Sequence, residues 1–187
     1  MKAGSRTPVC RIVAGPNGAG KTTFALNYLP QVAPGTAFVN ADLIAAGLSP
    51  LAPEQQTIAA SRLFLQQIED HVAAGRDFAF ETTLAGRGYL RLVRRLRSAG
   101  WRVELFYVAR VAERVAHGGH SIPPDAIARR FPRSLKNLLG VYADEVDETR
   151  CFLNSAPVPD IVFVQLGQQR TILNPTVYEH LVNEAQR

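Results

Sequence analysis

Gly15-Pro16-Asn17-Gly18-Ala19-Gly20-Lys21-Thr22 follows the pattern G-x-x-x-x-G-K-[ST] of a loop that cradles phosphate. The run before it, residues 8–14 (PVCRIVA), is short and apolar, and the alanine and leucine content from Thr22 to Leu29 continues it as a helix. Strand, loop and helix in that order are the context in which the pattern works. Its glycines let the backbone fold around an anion with N–H groups pointing inward, and the helix terminus adds partial positive charge. Lys21 is expected to reach the β- and γ-phosphates and the Thr22 hydroxyl to ligate Mg²⁺, with Thr23 closing the nucleotide-binding set that begins at Gly15. The alternative is a glycine-rich turn that holds nothing. Average residue frequencies produce the pattern by accident in roughly one chain in a hundred of this length, before its context is required.

Four further apolar runs end in turn or polar residues: Thr36 to Asn40 (TAFVN), Asp77 to Glu81 (DFAFE), Arg102 to Val108 (RVELFYV) and Asp160 to Gln165 (DIVFVQ). Between the second and third strands, Ile58, Leu65, Ile68 and Val72 stand near helical spacing in a segment opened by Pro53, and another helix runs from Tyr89 to Ala99 before Gly100. Short apolar strands alternating with helices predict an α/β fold of the P-loop NTPase and kinase class, with a central parallel sheet of about five strands flanked by helices. Ligands sit at the carboxyl ends of such strands. Residues 110–133, with Gly118-Gly119 and Pro123-Pro124 as hinges, read as an excursion from the sheet, so one domain over 1–187 with an arginine-rich helical lid is expected.

The 187 residues are 47% hydrophobic and 20% charged, which excludes a disordered chain. No apolar run approaches the roughly 20 residues that cross a bilayer, and the opening MKAGSRTPVC lacks a signal peptide's apolar stretch, so the chain is read as cytoplasmic and free of membrane. Cys10 and Cys151 fit neither a redox pair nor a zinc set and are expected to be free thiols. The net charge of +5 rests on arginine, since Lys2, Lys21 and Lys136 are the only lysines. That bias permits phosphate handling but is equally a habit of GC-rich genomes.

A phosphate loop does not say what is done with the nucleotide. The chain lacks the N-K-x-D motif that reads guanine, the LSGGQ signature of transporter ATPases and the Asp-Glu strand end of ring-forming ATPases. The small-kinase class remains, with ATP and Mg²⁺ as co-substrate and cofactor. Asp42 follows the second strand run at the sheet's carboxyl edge, where a carboxylate can orient an acceptor hydroxyl toward the γ-phosphorus and take its proton late. It could equally be the N-cap of a helix starting at Leu43. Glu81 opens Glu81-Thr82-Thr83-Leu84-Ala85-Gly86-Arg87, an acid, two hydroxyls and an arginine suited to a polar substrate, or strand-end polarity capping the helix at Tyr89.

Arg110, Arg114, His117, His120, Arg129, Arg130 and Arg133 crowd the excursion. An arginine swinging onto the γ-phosphate neutralises transition-state charge, and a lid shuts out water. The same residues read as a solvated basic face; Phe131 alone interleaves them, which argues against nucleic acid. Arg91, Arg94, Arg95 and Arg97 are a solvated helix face, because Tyr89, Val93 and Leu96 supply the buried stripe. The four histidines lack metal-ligand spacing, and Trp101 is expected to pack at the start of the fourth strand.

The blocks GPNGAGKTT (Gly15 to Thr23), FVNAD (Phe38 to Asp42), ETTLAGR (Glu81 to Arg87), RVAERVAHGGHSIP (Arg110 to Pro123) and RRFPRSLKNL (Arg129 to Leu138), then Asn154-Ser155, resemble the zeta-toxin family of P-loop kinases in its small chromosomal branch. The first block is common to many kinases; the last two are far more specific. The resemblance implies transfer of the ATP γ-phosphate to a hydroxyl of a UDP-N-acetyl amino sugar and a protein antitoxin that blocks nucleotide binding. It implies Asp42 as the catalytic aspartate, Lys21 and Thr22 as the phosphate-loop pair, and Glu81 and Thr83 at the sugar, where Thr82, Arg87 and His120 join them. Arg114 matches the first γ-phosphate arginine; for the second, His120 stands at the family position and Arg129 or Arg130 supplies the charge, Arg130 being the choice carried forward. The readings kept beside this one are a kinase of another hydroxyl (nucleoside, dinucleotide or polynucleotide 5′ end) and a nucleotide-dependent interaction module without catalysis.

Overall fold

The computed structural model describes residues 6–110, 124–156 and 158–187, the side chains of 124–129 excepted. Every residue of β1 (Val9–Ala14) is buried, the signature of a central strand covered on both faces. It is flanked by β3 (Phe78–Thr82) and β4 (Arg102–Ala109), with β2 (Ala37–Val39) outside β3 and β5 (Glu148–Leu153) outside β4, all five parallel. A hairpin of β6 (Asp160–Leu166) and β7 (Gln169–Ile172) adds two antiparallel strands, giving the order β2-β3-β1-β4-β5-β6-β7.

The five parallel strands match the expected number but not the expected members. The fifth is Glu148–Leu153 (ETRCFL), which the sequence reading passed over because charges interrupt it. Those charges are paired: Arg102 bonds Glu148, and Arg150 Nε lies 2.5 Å from Glu148 Oε1. The run at Asp160, expected among the parallel strands, lies antiparallel at the far side and needs β7 as its partner.

The two faces of the sheet divide the core by strand alternation. Cys10, Ile12 and Ala14 of β1 face Phe64 and Ile68 of α3 (Thr57–Ala73), Val93 and Leu96 of α4 (Leu90–Ser98), and Leu135 and Leu181. The last two belong to α5 (Pro124–Asn137) and α7 (Pro175–Ala185). Val13, Phe106, Val108 and Phe152 face the other way, against Phe24, Ala25 and Leu29 of α1 (Lys21–Val32). Phe80 is fully buried between α3 and Tyr89, worth about 1.5–3 kcal/mol of apolar transfer. Trp101 packs edge-on against Phe78 before β4, as expected. The arginines of α4 face outward: Arg94 meets Glu145 of α6 (Ala143–Glu145), Arg95 meets Glu69, and Arg97 meets Asp147. Cys10 and Cys151 are buried free thiols.

One short helix, α2 (Ala41–Leu48), follows β2, and a 3₁₀ turn (Pro53–Gln56) leads into α3. Of the expected lid, residues 111–123 lie outside the described residues, so Arg114, His117 and His120 have no described position, nor has the Arg129 side chain. Residues 124–133 begin α5, which continues through Asn137 into a π-helical turn, Leu138–Tyr142. No described helix is long and apolar enough to cross a membrane.

Candidate functional site

The carboxyl ends of β1, β3 and β4 converge on the loop that joins β1 to α1. Gly20, the residue before α1, has φ 79°, and Gly15 has φ 144°; a Cβ on Gly15 would lie 2.2 Å from the Val108 carbonyl oxygen, so no side chain fits there. The outer carbonyls of the loop are held from the neighbouring strands. Arg110 Nη1 donates to the Gly18 oxygen at 2.6 Å and Asn154 Nδ2 to the Ala19 oxygen at 2.8 Å. Those two oxygens are thereby satisfied, and the first-turn N–H groups of α1, which have no partner within the helix, together with the positive end of the helix make the loop suited to an anion. Asn17 and Thr23 lie on the rim of the loop, Thr23 exposed, and Pro16 and Ala19 are buried in it.

Lys21 is 6% exposed, its ammonium donating to the Pro16 oxygen at 3.1 Å and lying 3.4 Å from Glu81 Oε1. Burial pulls its pKa below the ordinary lysine value, against the opposing pull of the Glu81 and Asp42 carboxylates. Glu81, near the end of β3, also accepts from the Thr22 hydroxyl at 2.8 Å and from Asn40 Nδ2 at 2.7 Å. Glu81 therefore does not cap the helix at Tyr89, the structural alternative for it: α4 has no side-chain cap.

These oxygens test the fit of Mg²⁺. The Thr22 proton is committed to Glu81 and Asn40 Nδ2 approaches Oγ1 at 3.3 Å, which leaves one lone pair of Oγ1 for a cation, with a carboxylate directly behind it. Hydroxyl and carboxylate oxygens are the hard donors that Mg²⁺ takes, in company with substrate phosphates and water. The residues present fit the ion. Among the described residues no group of three or more His, Cys, Asp or Glu side chains forms a dedicated metal cage.

Asp42 sits in the first turn of α2, exposed, and its carboxylate accepts no hydrogen bond from a described residue. The capping alternative for Asp42 is corrected: Asn40 is the N-cap, its Oδ1 accepting from Asp42 N at 2.8 Å and Leu43 N at 3.1 Å. Among the described residues the Asp42 carboxylate is therefore not used as a cap, and it lies close enough to Lys21 to bear on its charge.

Beyond Glu81 the hydroxyls turn back on their own backbone, Thr82 Oγ1 accepting from Leu84 N at 3.2 Å and Thr83 Oγ1 from Ala85 N at 3.5 Å. Leu84 carries φ 57° although it is not glycine, held by Asn137 Nδ2 on its carbonyl at 2.9 Å and by burial of its side chain. Ser134 Oγ donates to the Thr83 oxygen at 2.7 Å and Tyr142 to the Gly86 oxygen at 3.1 Å. Arg87 is exposed and its Nε donates to Asn137 Oδ1 at 3.3 Å. Arg130 is exposed on α5 with no described partner in the site. The structure thus gathers Lys21, Thr22, Asp42 and Glu81, ties Thr83 and Arg87 to α5, and gives no position for Arg114 or His120.

The sequence reading quoted Asn40, Ser134, Asn137 and Asn154 within its family-like blocks but gave none of these scaffold residues a role. An asparagine at the end of a strand before a helical run is an N-cap signal, and that signal was available for Asn40. The contacts of Ser134, Asn137 and Asn154 span 51, 53 and 135 residues and left no local pattern.

The family profile described as Zeta toxin matches residues 1–121. An uncharacterized protein of Haemophilus influenzae is 31% identical over 130 residues, which cover 63% of this chain and 88% of that protein. Among solved structures, the PezAT chromosomal toxin–antitoxin system of Streptococcus pneumoniae aligns over 100% of this chain and 90% of its own, with TM-score 0.65 and 14% identity. AvrRxo1-ORF1 in complex with ORF2 and ATP aligns over 95% of this chain at TM-score 0.64 and 17% identity, the chain spanning 64% of its length. A gluconokinase from Sinorhizobium meliloti aligns over 97% of this chain and 94% of its own, at TM-score 0.50 and 17% identity. At these identities the likenesses concern the fold, which is that of P-loop kinases.

Proposed function

This chain belongs to the zeta-toxin family, and we propose that it is an ATP- and Mg²⁺-dependent kinase that moves the γ-phosphoryl group to a hydroxyl of a UDP-N-acetyl amino sugar. The observation that carries the reading is the Glu81 carboxylate, bonded to both Lys21 and Thr22, with the Asp42 carboxylate, unpartnered among the described residues, on the next helix.

In this reading the phosphates lie in the loop from Gly15 to Thr23, on the first-turn N–H groups of α1, with Lys21 moving from Pro16 and Glu81 onto the β- and γ-phosphates. Thr22, with Glu81 behind it, would hold Mg²⁺, and the ion would supply charge neutralisation on the phosphates. Asp42 accepts a hydrogen bond from the acceptor hydroxyl and directs its oxygen at the γ-phosphorus. The new P–O bond forms as the bond to the β–γ bridging oxygen breaks, ADP carries away the electron pair, and the hydroxyl proton passes to Asp42 late in the step. Thr82, Thr83 and Arg87 line the acceptor side, the last two tied to α5, and Arg114 and Arg130 neutralise the moving phosphoryl group. A protein antitoxin is the proposed partner, supported by the toxin–antitoxin assignment of the PezAT neighbour. A single domain acting in the cytoplasm completes the proposal.

The test is incubation of the purified chain with labelled ATP and separate acceptor pools: UDP-N-acetyl amino sugars, sugar acids, nucleosides and 5′-hydroxyl oligonucleotides. Label on the nucleotide sugar, lost in Asp42→Asn, is the expected result. Label on another pool only keeps the kinase and overturns the acceptor, and binding of ATP with no transfer to any pool overturns the kinase.

A further inference from the structure

Asn40 is buried to 3% exposure at the junction of β2 and α2, and its amide is fully used. Oδ1 accepts two backbone N–H groups, those of Asp42 and Leu43, while Nδ2 donates to Glu81 Oε2 at 2.7 Å and lies 3.3 Å from Thr22 Oγ1. The orientation of the amide is fixed from both ends, because an oxygen must face the two N–H donors and a nitrogen must face the carboxylate.

We propose that Asn40 is a positioning residue that holds the helix bearing Asp42 at a set distance from the Thr22–Glu81 pair, and so couples the acceptor side of the site to its cation side. Capping alone does not call for asparagine here. Serine and aspartate cap α2 equally well. Serine cannot reach Glu81 and Thr22 while capping, and aspartate would set a second carboxylate against Glu81. Only a side chain with an acceptor at one tip and a two-hydrogen donor at the other satisfies α2, Glu81 and Thr22 together. In this arrangement a shift of Thr22 and Glu81 on binding of the cation is felt by the first turn of α2. The inference rests on the kinase reading above, and it concerns turnover and cation coupling rather than capture of ATP.

The experiment compares the full chain with Asn40→Ser and Asn40→Asp. It measures kcat, KM for ATP, and the affinity for a non-hydrolysable ATP analogue with and without Mg²⁺ by calorimetry. Support is a fall in kcat of about 10- to 100-fold, analogue affinity without Mg²⁺ unchanged, and the Mg²⁺ enhancement of that affinity reduced in both variants, with KM for ATP rising no further than that lost enhancement accounts for. Adding Glu81→Gln to Asn40→Asp restores donor and acceptor in reversed order, and recovery of the Mg²⁺ enhancement above that of either single variant supports the strut directly. Unchanged kcat and unchanged Mg²⁺ enhancement in Asn40→Ser overturn the proposal, as does failure of both single variants to fold, which assigns Asn40 to architecture. A wild-type chain that binds no analogue overturns the kinase reading itself and this inference with it. A wild-type chain that transfers phosphate beside an equally active Asn40→Ser overturns the inference alone.

Discussion

Lys21 Nζ and Glu81 Oε1 lie 3.4 Å apart, an ion pair between the first residue of α1 and the carboxyl end of β3, buried to 6% and 11% side-chain exposure. The register of β1 against β3, with Val13 opposite Glu81, puts the carboxylate beside the loop that β1 feeds. On the proposed reading, this pair parts when a triphosphate draws the ammonium away.

Burial lowers the Lys21 pKa, and the Glu81 carboxylate is the largest influence opposing it. Glu81→Gln removes that support, so the ammonium gives up its proton at a lower pH than in the wild type. Because a triphosphate binds the charged form, ATP affinity should begin to fall at a lower pH in Glu81→Gln as pH is raised above neutrality. Calorimetric titrations of ATP across this range check it; superimposed profiles would show that Glu81 does not hold the charge.

Asp42→Asn should leave the melting temperature nearly unchanged, because the carboxylate bonds to no described residue and its favourable place in the first turn of α2 is worth only about 0.3–1 kcal/mol. Phosphoryl transfer should drop on the order of 10²- to 10⁴-fold, the usual range for a removed general base. Steady-state assays beside thermal denaturation make the comparison, and full activity in Asp42→Asn would remove this residue from the chemistry.

The loop and its strand were legible because they are local: eight consecutive residues carry the phosphate pattern, and β1 and α1 flank it. Asp42 and Glu81 could be placed at the right edge because one follows an apolar run by two residues and the other ends one. What the sequence could not show was pairing. Glu81 was expected at the sugar, and its contacts with Thr22 and Asn40, 59 and 41 residues away in sequence, left no trace in the local pattern. Strand β5 escaped notice because its charges read as surface, although Glu148 is 5% exposed and neutralised by Arg102 and Arg150.

Cys10 and Cys151 are both buried, and burial pushes each thiol pKa far above the ordinary range. A raised pKa keeps the unreactive protonated form through neutral and mildly alkaline pH. Neither thiol should react with a disulfide reagent in the folded protein between pH 7 and 9, and both should react at once in denaturant. Rapid labelling of the native chain would mean that the sheet opens locally at β1 or β5.

Asn137→Ala should destabilise the chain by about 1–3 kcal/mol, since it strips the buried Leu84 carbonyl of its donor and frees a residue held at φ 57°. The Thr82–Arg87 loop then loses one backbone anchor and keeps those from Ser134 and Tyr142, while the phosphate loop keeps both of its own. Denaturant unfolding should show the loss in stability, and ATP affinity at a temperature where the variant is folded should match wild type. A parallel loss of ATP affinity would mean that the two loops are not independent.

Gly20 and Asn154 provide a test by non-additivity. A Cβ on Gly20 would sit 2.6 Å from Asn154 Nδ2, and φ 79° adds a backbone cost of about 1–2 kcal/mol for any L side chain. Asn154→Ala loses one hydrogen bond to the Ala19 oxygen, about 0.5–1.5 kcal/mol, and with it the contact that satisfies that carbonyl. Gly20→Ala alone therefore carries both clash and strain, whereas in the Asn154→Ala background only the strain remains. The double variant should be less destabilised than the sum of the singles, by at least about 0.5 kcal/mol, as expected for residues in contact. Its ATP affinity should still be poor, because the left-handed turn that opens α1 is strained in both backgrounds. Denaturant titrations of the four proteins measure the coupling, and strict additivity would mean that Asn154 yields freely and does not fix the loop.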